Sequence, residues 1–171
     1  MTRKPVVAIV GASSASQPLV SAAEAIGEGL VNAGFRVATG GLGGVMTAAS
    51  RGARNAAQWV DGDVIGILPS GVAAEANPYV DIAIATGLGF ARNVVLVQTA
   101  DVVVAVGGGS GTLSEIAFAW QFGKPIVALD LGEGWSAKLA GETLDGRRQD
   151  AVVRATSPEA ALTAVRGFTQ P

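Results

Sequence analysis

Residues 102–115 read VVVAVGGGSGTLSE. The β-branched run fits a strand buried on both faces, and the glycines behind it end that strand abruptly. From Thr112 the pattern turns helical, with Leu113, Ile116, Ala117 and Trp120 on one stripe. Strand, glycine turn and helix make up half of a parallel crossover, and the unit recurs along the chain. Residues 6–10, 35–38, 64–68, 81–85, 125–129 and 151–155 also read as strands, and residues 18–33, 44–57 and 158–168 as helices. Residues 87–100 are ambiguous by propensity but read as helix, because parallel neighbours need a crossover of about a dozen residues. The expected fold is α/β, a doubly wound, mainly parallel sheet of about seven strands with helices on both faces. The expected strand order is 3-2-1-4-5-6, the first strand beside the fourth, with a seventh strand at an edge.

Composition narrows the chemistry. The chain has 171 residues, 49% apolar and 15% charged, and is expected to form one domain over residues 1–171. No stretch approaches the ~20 apolar residues of a membrane span, and no export signal is expected at the N-terminus, so a cytoplasmic protein without membrane contact is expected. With no histidine and no cysteine, no metal site is expected, and catalysis would fall to carboxylate, arginine, hydroxyl or backbone groups. A net charge of −2 argues against a nucleic-acid partner. Residues 131–150 are polar and without clear period, which suits a lid, a subunit contact or a mobile connection.

More than half of the 24 glycines fall just past an expected strand, on the sheet edge where open parallel sheets bind ligands. Three such loops stand out. Gly108, Gly109, Ser110, Gly111 and Thr112 offer successive amides, two hydroxyls and a helix start, a phosphate cradle without the lysine of a P-loop. Gly11, Ala12, Ser13 and Ser14 follow the first strand. Gly40, Gly41, Gly43, Gly44 and Met46 follow the second. The residues alone point to a nucleotide or other phosphate ester. Glu115 has two readings: a capping box with Thr112 as N-cap, or a carboxylate facing away from the apolar stripe toward the ribose or a water of the ligand. Arg92 reads either as a surface arginine or as the partner of an anion, since a cation at a helix start opposes the helix dipole.

The stretch from Gly108 to Glu115 is similar to the GGxGTxxE signature of the Lonely Guy (LOG) family, long labelled lysine decarboxylase-like. Gly11 to Ser14 resembles its GSS turn, Gly40 to Met46 its GGGxxGxM loop, and Arg92 its arginine, so the resemblance spans residues 6–129. It implies a Rossmann-like fold and a phosphoribohydrolase that cleaves a nucleoside 5′-monophosphate to free base and ribose 5-phosphate. Arg92 and Glu115 would be the catalytic pair, and the three loops would bind the ligand. Two departures, Gly107 where that signature has proline and Asn93 where it has lysine, look closer to a sister group that includes molybdenum-cofactor carriers. That likeness implies the alternative, a non-catalytic carrier or sensor of a phosphorylated cofactor.

On either reading no cofactor is required, and the expected ligand is a nucleoside monophosphate or a phosphorylated pterin. A homodimer, or a tetramer of paired dimers, is expected through the helix carrying Phe118 and Phe122 and its neighbour beginning near Gly89. Pyridoxal phosphate decarboxylation is disfavoured, because Lys4 and Lys124 fall on the opposite sheet edge and Lys138 in the unpatterned segment.

Overall fold

A computed structural model describes residues 3–171. Seven strands, β1 (Val6–Gly11), β2 (Arg36–Thr39), β3 (Val64–Leu68), β4 (Ile82–Ala85), β5 (Val102–Val106), β6 (Ile126–Leu129) and β7 (Val153–Ala155), form one sheet in which every pairing is parallel. The helices are α1 (Gln17–Asn32), α2 (Val45–Asn55), α3 (Arg92–Thr99), α4 (Ser110–Gln121), α5 (Gly134–Leu139) and α6 (Pro158–Phe168). This is the expected Rossmann-like, doubly wound architecture.

Alternation along the strands builds two cores. Val7 and Ile9 of β1 pack with Leu19, Ile26, Ala49 and Val165 of α1, α2 and α6. Val6, Ala8 and Val10 face Leu96, Ile116 and Trp120 of α3 and α4. Both faces of β1 and β5 are therefore dry, which is why their sequences are continuous apolar runs rather than alternating ones. Helices α1 and α2 approach so closely that a Cβ on Gly27 would lie 2.1 Å from the Ala49 carbonyl oxygen, and one on Gly52 would lie 1.9 Å from that of Glu24. A glycine in each helix, Gly27 in α1 and Gly52 in α2, is the condition for that crossing.

The strand order is β4-β3-β2-β1-β5-β6-β7, the expected six-strand order with β4 added at one edge. It is therefore the fifth strand in the chain, not the fourth, that lies beside β1. The reason is burial: all five residues of β5 are buried, whereas Ile82 and Ile84 of β4 are exposed, and a half-wet strand suits an edge. Residues 87–100 are helical over α3 after a 3-10 turn at Gly89–Ala91. The segment expected to lack pattern instead contains α5, which buries Ser136. Six residues are too few for a legible period. Among the described residues no helix is long and apolar enough to cross a membrane.

Candidate functional site

The chain leaves β1 toward β2 on one side of the sheet and later enters β5 on the other, so the loops after β1 and β5 part above a topological switch point. A crevice of about 490 Å³ opens there. Its shape follows from close packing of the three glycine loops. A Cβ on Gly11 would lie 2.5 Å from the Val106 carbonyl oxygen, drawing the ends of β1 and β5 together. Gly44 takes φ +62° and abuts the Ala12 carbonyl oxygen, which also accepts from the Val45 amide at 2.9 Å. These contacts pin the β2 loop against the β1 turn.

Gly109 caps α4 without a side-chain hydrogen bond, so the first-turn amides of α4 have neither an intrahelical nor a capping partner. Beyond its chain neighbours and its own helix, a Cβ on Gly109 or Gly111 would meet nothing within 4 Å, and both glycines line the crevice. The floor of the cradle is fixed from behind. The Ser136 hydroxyl accepts from the Gly107 amide at 2.7 Å and donates to the Leu129 carbonyl at 2.6 Å.

Arg92 and Glu115 meet in the same crevice. Arg92 Nη1 donates to Glu115 Oε1 at 3.3 Å and to Asn93 Oδ1 at 2.8 Å, and Asn93 Nδ2 donates to Ser114 Oγ at 2.9 Å. Gly40 makes room for the guanidinium, since a Cβ there would lie 2.3 Å from Nη2. Nε of Arg92 is buried without a partner among the described residues. Burial pushes the Glu115 carboxyl up to about 7 against the opposing pull of Arg92. Burial likewise draws Arg92 below its ordinary value, although a guanidinium stays protonated in proteins.

The capping-box reading of Glu115 does not hold. Helix α4 starts at Ser110, so Thr112 is its third residue rather than its N-cap. Glu115 is also buried, as are Ile116, Ala119 and Trp120, while Leu113 and Ala117 are only half-buried. The surface-arginine reading of Arg92 fails too, since Arg92 is 8% exposed.

Of the expected site residues, Gly11, Ser13, Ser14, Gly40, Met46, Arg92, Gly109, Ser110, Gly111, Thr112 and Glu115 line this crevice. Gly41, Gly43 and Gly44 shape the β2 loop from outside it, and Gly108 packs on the Thr112 hydroxyl, 2.2 Å from where its Cβ would be. Sequence reasoning missed Phe90, Asn93 and a second cavity reaching Glu133. Phe90, 90% exposed, stands two residues before Arg92 in a glycine-led turn, a signal that was readable. None of the lysines lines the crevice: Lys4 pairs with Asp63 at 2.9 Å, Lys124 donates to the Ala100 carbonyl, and Lys138 lies over Trp135.

The family model described as the SLOG cluster4 family matches residues 4–162. An uncharacterised protein from Archaeoglobus fulgidus is 39% identical over 123 residues, 72% of this chain and 78% of that one. The molybdenum cofactor binding protein from Rippkaea orientalis superposes with a TM-score of 0.84 at 37% identity, covering 98% of each chain. The molybdenum cofactor carrier protein from Chlamydomonas reinhardtii gives 0.81 at 33% identity, covering 96% of this chain and 98% of that one. These relatives overturn the expectation that the site requires no cofactor, because two of them are proteins of the molybdenum cofactor.

Proposed function

This chain belongs to the SLOG cluster4 family, and from that premise we propose that its crevice holds a phosphorylated pterin of the molybdenum-cofactor type as cargo, without cleaving it. The observation that carries the proposal is the likeness to cofactor-binding and carrier proteins at 33–37% identity over nearly the whole chain. The site fits such a cargo. Open space above Gly109 and Gly111 leaves backbone amides bare for a phosphate, and Ser13, Ser14 and Ser110 add hydroxyls along the same wall. Arg92 pairs with Glu115 in the crevice wall, so the charge it offers a ligand depends on a carboxyl held near 7, and amide and hydroxyl dipoles supply the rest of the contact. An open crevice suits delivery to an acceptor.

A second reading, nucleoside monophosphate phosphoribohydrolase, has one observation in its favour. A buried carboxyl held near 7 beside a guanidinium is a candidate general acid or base. The two readings separate in one experiment. The purified protein is loaded with molybdenum cofactor released from a molybdoenzyme, and retention through gel filtration is measured. In parallel, ribose 5-phosphate release is assayed with AMP, GMP, IMP and CMP. Retention with no ribose 5-phosphate supports the carrier, whereas turnover without retention supports the hydrolase.

A further inference from the structure

The phosphate crevice does not end at the α4 cradle. A second cavity of about 520 Å³ adjoins it, with Ala12, Ser14 and Gly109 lining both. Its walls come from the β1 turn, the start of α1 including Leu19, the β5 loop and the start of α5. The one ionisable side chain among them is Glu133.

Glu133 is solvent-exposed on the wall of this cavity, and its position is set by its neighbours. Its Oε1 accepts a hydrogen bond from the Ser16 hydroxyl. The loop that carries it is locked onto the cradle: the Trp135 and Ser136 amides donate to the Gly108 and Gly107 carbonyls at 3.0 Å each. Gly134, at φ +75°, packs so tightly that a Cβ would lie 2.4 Å from the Gly107 carbonyl carbon. A carboxylate beside the bare α4 amides disfavours a phosphate at that end of the cavity and suits a part of the ligand that brings hydrogen-bond donors.

We infer that the second cavity reads the far end of the ligand, with Glu133 accepting the paired N–H groups of a 2-amino-4-oxopyrimidine edge while the phosphate sits on the α4 amides. That edge, shared by pterins and guanine, presents a ring N–H and an exocyclic amine side by side, a match for the two oxygens of one carboxylate. Adenine presents a ring acceptor at the equivalent edge and is repelled. The inference rests on the cofactor proposal and adds the group that would select within it.

The test titrates wild type and Glu133→Gln with neopterin 3′-phosphate, GMP and AMP by calorimetry. Wild type is expected to bind the first two at least about tenfold more tightly than AMP. Glu133→Gln should weaken those two by about ten- to hundredfold while leaving AMP unchanged. A purely structural role for Glu133 would weaken all three alike. Absorbance titration of bound neopterin phosphate supplies an independent readout, because a carboxylate that accepts the ring N–H holds its proton on. The ring ionisation should move to higher pH in wild type and return toward the free value in Glu133→Gln. Equal affinity of wild type for AMP, undiminished pterin binding by the variant, or an unshifted ring ionisation overturns the inference and leaves the cofactor proposal standing. Binding of none of the three ligands by wild type overturns both.

Discussion

Arg92 Nη1 reaches Glu115 Oε1 at 3.3 Å, and the two side chains are only 9% and 7% exposed. A buried pair of this kind costs desolvation on both sides, so it is weak evidence for stability but a sensitive point for mutation. Arg92→Ala removes the cation that favours the carboxylate, so above pH 7, where Glu115 ionises, it should cost up to about 3–5 kcal/mol in urea denaturation, and less at pH 5. Replacing both residues with apolar ones of similar volume should recover much of that loss. A double variant no more stable than Arg92→Ala would show that the pair is not the coupled unit described.

Glu115 also makes stability depend on pH. Its carboxyl binds a proton more tightly in the folded protein, at about 7, than at its ordinary 4.5. Its contribution is therefore full below about 4.5 and is lost as pH rises through 7. Glu115→Gln lacks this titration, so its melting temperature should gain on that of wild type between pH 5 and pH 8. A constant gap across that range would count against the burial-driven shift.

The cradle can be blocked without unfolding the protein. A Cβ at Gly109 would meet nothing within 4 Å beyond its chain neighbours, so the melting temperature of Gly109→Val should barely move. Binding of neopterin 3′-phosphate should fall at least about tenfold, since the added carbons occupy the approach to the amides. Undiminished binding would mean that the phosphate lies elsewhere.

Gly52 tests the α1–α2 crossing. A methyl group there would lie 1.9 Å from the Glu24 carbonyl oxygen, a backbone atom that cannot rotate away. Despite the better helix propensity of alanine, Gly52→Ala should cost at least about 1–3 kcal/mol by chemical denaturation. A neutral or stabilising outcome would show that the helices separate freely.

Self-association is expected through the α3–α4 side of the molecule. Phe118 and Phe122 stack there with ring centroids 6.1 Å apart, both half-buried, and Phe90 and Leu88 are 90% and 52% exposed. A single protein of this size gains by covering such residues. Light scattering at micromolar concentration should report a dimer or tetramer; a monomer there would exclude it.

Much of the site was legible because its glycines fall at strand ends, where pattern and position coincide. Gly109 and Gly111 could be placed just past β5, where they line the crevice, from spacing alone. Glu115 could not be read the same way. Its distance from Thr112 mimics a capping box, and only the true helix start at Ser110, set by how β5 ends against Gly107 and Ser136, removes that reading. The edge position of β4 was equally hidden, because strand propensity says nothing about which neighbour a strand will choose.

What the sequence by itself determined is periodicity and inventory. Runs such as VVAIV and VVVAV specify strands dry on both faces, the glycines specify loops at one sheet edge, and the absence of histidine and cysteine limits the chemistry. Those properties are local, since they depend on each residue and its near neighbours along the chain. The tertiary structure alone decided the rest. It joined Arg92 to Glu115 across 23 positions in the chain, buried both, and brought the α1 start, the β5 loop and Glu133 around one cavity. Desolvation and charge pairing depend on what packs opposite a side chain, and that is settled only when distant segments close on one another.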